Sequence, residues 1–285
     1  MAVLLAVTAA AGWGAADFFG GDVSRRRTPV FVVIALSELL GLALVAPVLL
    51  WRGVPPPADP RLLLAAVAGI AVTAELSLIY LALSRGDAFI TAPVGALGAA
   101  ITITVGITRG DPLNPMIAAG LLIAVVGGGF SAWSSGARGS RTTRAQTAAI
   151  CIGAAAAVGV MLTCFRAAGR LDAYWATTIE HAATALSAGG VALVAGRWSR
   201  RPILPGVSQL PALARVAAVG VGGDLAYAVA SHRGALSIVS AVSSLYPVTT
   251  ILLARILQAR RATRIQLLGI ALALAGAALL GAAAR

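Results

Sequence analysis

The chain has 285 residues, of which 59% are hydrophobic and only 11% charged. Soluble domains carry about 25% charged residues, so no part of it reads as a soluble domain and lipid is its expected solvent. All 22 basic residues are arginine, and against ten carboxylates they leave a net charge of +12. Basic proteins often bind nucleic acid, but these arginines cluster between apolar runs, at 25–27, 138–144, 197–201 and 260–264. That placement fits loops facing lipid headgroups, and nucleic acid is not an expected partner.

A membrane-spanning helix takes about 20 residues, so the chain accommodates about ten spans with short loops and no appended soluble domain. Residues 2–22 open it with an apolar run. No positive segment precedes that run, which is too long and too rich in Trp and Phe for a cleavable signal, so it is read as the first span. Runs bounded by Arg, Pro, Gly and Asp place the next four at 29–51, 62–83, 86–107 and 113–134. Five more follow at 145–165, 172–196, 210–231, 234–256 and 263–283. Trp51, Trp133, Trp175 and Trp198 fall at span ends, where an indole can keep its N–H among headgroups; Trp13 is mid-span. Cys151 and Cys164 are 13 positions apart in one span, about 20 Å along a helix, too far for a disulfide.

The two halves repeat. Gly120…Gly127 and Gly269…Gly276 share two glycines seven apart, offset by 149 residues, and the same offset places Asp111 on Arg260 and Glu75 on Asp224. Five spans per half is odd, so the second half enters the membrane in the opposite sense, as in the inverted repeats of secondary transporters. The expected architecture is all-α integral membrane, ten transmembrane helices as two inverted five-helix repeats, residues 1–142 and 143–285.

The stretch Ala82-Leu83-Ser84-Arg85-Gly86-Asp87-Ala88, then Gly110-Asp111 and Gly120, resembles the first repeat of EamA-like proteins of the drug/metabolite transporter superfamily. Tyr246-Pro247-Val248-Thr249-Thr250, Leu253-Ala254-Arg255 and Gln266-Leu267-Leu268-Gly269 resemble the second repeat, and Trp13-Gly14 the first helix. The resemblance covers essentially the whole chain. It implies ten helices in two inverted repeats around a central cavity lined by helices 1 to 4 and 6 to 9, with helices 5 and 10 as buttresses. Two departures stand out. Asp111 and Ala259-Arg260 occupy positions where the family often has Gly-Glu, and Ser37-Glu38 stands near the start of helix 2 where an Arg is common. The resemblance also implies that both termini are cytoplasmic. Arginine counts point the other way, 15 in the odd loops against 7 in the even loops and termini; the family's orientation is adopted here.

Five of the ten carboxylates, Asp17, Glu38, Glu75, Glu180 and Asp224, fall inside spans. A charge at mid-membrane costs about 2.5 to 3.5 kcal/mol even on lenient scales, so these should face a wet cavity, be protonated or pair with polar neighbours. Glu75 and Asp224 occupy equivalent positions in the two halves, which would bring them to opposite sides of one cavity as a proton-coupling pair; the alternative is that each hydrogen-bonds structurally to a neighbouring helix. Asp17 lies one turn from Trp13, an arrangement suited to an organic cation or to simple packing. Glu180 continues a stripe with Thr177, Thr184 and Ser187, beside His181, which reads either as a proton relay or as a satisfied polar cluster. Ser240, Ser243, Pro247 and Thr250 form another stripe, a ligand contact or helix packing. Tyr227, Tyr246 and Glu38 complete the candidate binding set.

An enzyme is not expected. There are two His in separate spans, no Cys-x-x-Cys, no Walker loop and no His-Glu-x-x-His, and neither a cofactor nor a metal set is anticipated. The expected function is secondary transport of a small cationic or zwitterionic metabolite or drug-like solute across the cell membrane, by alternating access, with proton coupling an open question. The alternative within the superfamily is a lipid-carrier translocase, against which the acidic interior argues. The expected partners are a small-molecule substrate, the bilayer and, if transport is coupled, protons.

Overall fold

A helix closes its own backbone hydrogen bonds, the one requirement lipid imposes on any open segment that crosses it. The computed structural model describes residues 1–25, 28–84, 91–131, 144–199, 206–258 and 263–283, and these contain eleven α-helices and no strand. They are α1 (Ala2–Arg25), α2 (Val30–Arg52), α3 (Leu64–Ser84), α4 (Thr91–Thr108), α5 (Pro115–Ser131), α6 (Arg144–Gly169), α7 (Ala173–Ser199), α8 (Leu210–Arg233), α9 (Leu236–Ser243), α10 (Tyr246–Gln258) and α11 (Arg264–Ala283). Eight helical stretches are long and apolar enough to cross a membrane, one of them Leu236–Gln258, which joins α9 and α10. Two apolar stretches are shorter, Gly98–Thr108 and Pro115–Phe130. Each expected span coincides with a described helix, except that the ninth is divided. Pro247 has no N–H to give the carbonyl four residues back, and α10 restarts just before it, which leaves Pro247 in a first turn. Arg85 to Asp87, Trp133, Arg138, Arg141 and Arg260 lie outside the described residues.

Lipid provides no hydrophobic drive for helices to associate, so contact depends on small residues that let backbones approach. The paired glycines of the sequence serve this purpose: Gly120, Gly127 and Gly276 lie in the contact between α5 and α11. A Cβ at Gly276 would sit 2.7 Å from the Cα of Ala124, and one at Gly120 would sit 2.9 Å from Leu280 Cγ. On α1, a Cβ at Gly12 would sit 2.8 Å from the Cα of Gly223 on α8. The other main pairings are α1 with α10, α6 with α3 and α4, α2 with α7 and α8, α3 with α7, and α4 with α9.

Every residue of α9 is buried, whereas in α10 only Val248 is. The hydroxyl stripe along this span is satisfied by neighbouring helices. Ser243 Oγ donates to the Ala6 carbonyl (3.4 Å), Thr250 Oγ1 to the Gly14 carbonyl (3.0 Å), and Ser240 Oγ lies 3.2 Å from the Tyr227 hydroxyl. These contacts follow the packing reading of the stripe.

One end of the bundle is fastened by polar contacts between helix ends. Arg52 donates to both oxygens of Asp172, at 3.1 and 2.7 Å, and its guanidinium lies 4.5 Å from the centre of the Tyr174 ring. Asp172 also caps α7, accepting from the N–H groups of Tyr174 (2.9 Å) and Trp175 (3.0 Å). The Trp175 indole donates to the Val54 carbonyl (3.0 Å), and Trp51, at the end of α2, is exposed. Nearby, Asp111 Oδ2 accepts from the Ser237 N–H (2.7 Å) and His232 Nε2 lies 2.5 Å from the Gly169 carbonyl oxygen.

Partial burial works to raise the Asp172 pKa, but the Arg52 hydrogen bonds and the two capping N–H groups outweigh it and hold the carboxyl below its usual range. A depressed folded pKa means that this contribution to stability is present above about pH 4 and is lost as pH falls through the folded value. Asp172→Ala should therefore lower the melting temperature in detergent at pH 7, where the lost cap alone is worth about 1 kcal/mol. Below about pH 4 the gap to wild type should shrink. Equal melting temperatures at pH 7 would show that this end is not held through Asp172.

Candidate functional site

Midway along the bundle, four helices bring their polar side chains together. Glu38 comes from α2, Glu180 and His181 from α7, Asp224 from α8 and Trp13 from α1. Gly41, one turn after Glu38, is what lets α7 approach: a Cβ there would lie 3.1 Å from both Cε1 and Nδ1 of His181. Gly69 does the same for α3, since a Cβ would fall 2.8 Å from Thr184 Oγ1.

The imidazole of His181 is the centre of the group. Its Nδ1 contacts Glu38 Oε2, and its Nε2 lies 3.3 Å from Asp224 Oδ2, within ion-pair range but without hydrogen-bond geometry. The other Asp224 oxygen, Oδ1, accepts from the Trp13 indole N–H at 2.8 Å. Behind His181, Glu180 Oε1 accepts from the Thr184 hydroxyl at 2.8 Å. The His181 side chain is 2% exposed, against 22% for Glu38 and 15% for Asp224, so the ring is enclosed while two of its acidic neighbours are partly exposed. Three acidic side chains surround one imidazole.

Aromatic rings wall one side. Trp13 and Tyr227 have centroids 5.3 Å apart, and Tyr227 stacks on Phe165 at 5.9 Å. The Tyr227 hydroxyl donates to the Leu162 carbonyl at 2.9 Å, which locks the ring. Asp17, Glu75 and Tyr246, on α1, α3 and α10, form a second group within electrostatic reach of one another. Glu75 is buried and Asp17 exposed.

Asp224 is engaged by Trp13 and His181, and Asp17 lies within electrostatic reach of Glu75; no direct contact joins Glu75 to Asp224 among the described residues. Trp13 donates to Asp224 rather than serving Asp17. An equal offset along two repeats places residues at equivalent positions in their own helices, but the neighbour each side chain meets depends on which helix packs alongside. His181 joins the adjacent Glu180 to two carboxylates from other helices. Thr184 and Ser187 of the α7 stripe reach the Gly69 carbonyl (3.3 Å) and the Thr73 hydroxyl (2.8 Å) on α3. Sequence reasoning missed the part played by Gly41 and Gly69. A glycine one turn from an intramembrane acid is a signal that could have found the first.

The EamA-like transporter family model matches residues 1–133 and again residues 145–282. The chain belongs to the EamA-like transporter family. It is accordingly a multi-pass membrane protein of the drug/metabolite transporter superfamily. No curated protein matches the chain. A solved structure described only as the crystal structure of a protein is 20% identical to this EamA-like chain. It superposes with a TM-score of 0.78 over 100% of this chain and 97% of that one, a likeness of fold alone.

If Glu38 and His181 act as a pair, their removal should be non-additive. Glu38→Gln and His181→Gln should each lower the melting temperature, because each leaves a buried polar partner unmatched, at a cost of about 1–3 kcal/mol. The double variant should lose clearly less than the sum. Strict additivity in a thermal-shift cycle would mean that the two side chains do not interact.

Proposed function

We propose that this EamA-like protein is a secondary transporter of the cell membrane that moves a small cationic or zwitterionic solute by alternating access. The observation that carries the reading is the set of acidic side chains on five helices, α1, α2, α3, α7 and α8, accompanied by a single imidazole and, among the described contacts, by no arginine. In their ionised forms they favour positive charge and oppose entry of anions. Trp13, locked by Asp224 and packed on Tyr227, supplies an aromatic face beside those carboxylates, an arrangement that holds organic cations well.

The architecture proposed with it is ten helices in two inverted repeats, residues 1–142 and 143–285, with both termini cytoplasmic. The helix pairings support the repeat. Exchanging α1 with α6, α2 with α7, α3 with α8, α4 with α9 and α10 together, and α5 with α11 turns the α1/α8 contact into α6/α3. It also turns α1/α10 into α6/α4 and α2/α8 into α7/α3, and it maps α2/α7 and α5/α11 onto themselves. Such exchange symmetry is what lets one half rock against the other around a site at mid-membrane.

Counterflow into proteoliposomes, run with amino acids, organic cations, nucleosides and organic phosphates, tests the substrate class. Accumulation is expected for cations or zwitterions; accumulation of organic phosphates alone would refute the reading and favour lipid-carrier translocation.

Proton coupling, if the transporter uses it, is assigned to Asp17 and Glu75, two acids within electrostatic reach of each other and of Tyr246. A proton held by either acid is displaced when a cation arrives, and that exchange links the gradient to the conformational cycle. The double variant Asp17→Asn, Glu75→Gln should retain counterflow, which needs no driving ion, and should lose acceleration by an imposed pH gradient. Full gradient-driven uptake by the double variant would remove these two residues from the coupling.

A further inference from the structure

We propose that Glu38, Glu180 and His181 form a binding site for one divalent transition-metal ion, of the Zn2+ or Mn2+ class, at the centre of the bundle. The ligand-capable atoms of the three residues all lie within 4.8 Å of one another. Three ligands that each bond one ion at about 2.1 Å lie roughly 3.0 to 3.6 Å from one another, so to complete the set Glu38 and His181, now in direct contact, would part to admit the ion and Glu180 would close on it. One imidazole nitrogen and two carboxylates suit a borderline divalent ion and leave coordination positions open.

Three further observations point to a cation rather than to a merely acidic cluster. The surroundings of His181 approach, without completing, the second-shell pattern of metal-binding imidazoles: Nε2 and Asp224 are within ion-pair range but lack the hydrogen bond, which a turn of the ring toward an ion at Nδ1 would supply. With Nδ1 turned to the ligand group, Nε2 faces a carboxylate, Asp224 Oδ2 at 3.3 Å, and Asp224 is itself fixed by the Trp13 N–H at 2.8 Å. Glu180 is likewise held, by the Thr184 hydroxyl at 2.8 Å. Second, the group is unfinished as it stands. His181 Nε2 and the Thr177 hydroxyl, one turn back on the same face of α7, are buried with no hydrogen-bond partner among the described residues, and such atoms are rare unless a ligand reorients the group. Third, three acidic side chains, Glu38, Glu180 and Asp224, gather around one imidazole in a low-dielectric interior, where a divalent ion would favour their ionised forms and offset their charge. Glu38, the most accessible ligand at 22% side-chain exposure, provides the way in.

The site goes beyond the transport reading, and its test does not depend on it: binding is read in detergent-solubilised full-length protein with no membrane and no gradient. Isothermal titration with Zn2+, and separately with Mn2+, should show one site per chain in wild type. His181→Gln and Glu180→Gln should weaken binding at least tenfold. Asp224→Asn, which removes an orienting group and no ligand, should keep the one-to-one stoichiometry while losing roughly 10- to 100-fold in affinity. Asp59→Asn, on an exposed loop, controls for surface carboxylates and should change nothing. Because a substituted chain can misfold, each variant is titrated only after its gel-filtration profile and melting curve are matched to a folded reference. Failure of wild type to bind either ion, or undiminished binding by a folded His181→Gln variant, would overturn the proposal. So would loss of binding in Glu75→Gln with His181→Gln unaffected, which would place the cation in the other carboxylate group.

Discussion

Backbone-to-backbone contact between α1 and α8 is the constraint on which the centre of this molecule depends. Gly12 and Gly223 leave no side chain between the two helices, and in lipid, where apolar surfaces gain nothing by meeting, this closeness must come from packing itself. One residue beyond each glycine stand Trp13 and Asp224, so the contact that joins the helices also sets the indole N–H on the carboxylate at 2.8 Å. Asp224 is thereby turned toward His181, and the imidazole in turn toward Glu38. A bulky residue at either glycine would separate the helices and dissolve the chain of contacts at its first link.

The same device recurs on the opposite side. Gly41 admits the His181 ring against α2, and Gly69 admits α7 against α3. Stabilisation and function are therefore not separable residue by residue: the small residues that allow packing are those that decide how near the charged groups come. The cost of burying the carboxylates is offset partly by neighbouring hydroxyls and the indole, and the remaining imbalance is the chemical opportunity a bound cation would use.

At the end of the bundle fastened by Arg52 and Asp172, the contacts are of another kind, a bidentate ion pair doubled by a helix cap. Such contacts can be broken and remade without exposing a core, whereas α5 and α11 meet through glycine and alanine backbones that separate only at the loss of close packing. A bundle with breakable polar fastenings at one end and rigid glycine seams elsewhere is mechanically suited to the rocking motion proposed for it.

The positions of the helices were legible in the sequence, because apolar runs in lipid have a length set by the bilayer and are interrupted where arginine, proline and glycine gather. The division of the ninth span at Pro247 was not read from the sequence, which shows one unbroken run, whereas the acids that gather at mid-bundle stood out because an acid inside a span is costly. What the sequence alone determined, then, was which residues are buried in the membrane and which of those carry charge. Only the tertiary structure decided who meets whom. Glu38 and His181 are 143 residues apart, and Glu75 and Asp224, matched by their offset, acquire different neighbours. Pairing depends on the rotation of each helix about its axis and on the closeness that glycines permit between particular helices, and both are properties of the packed bundle rather than of any one segment.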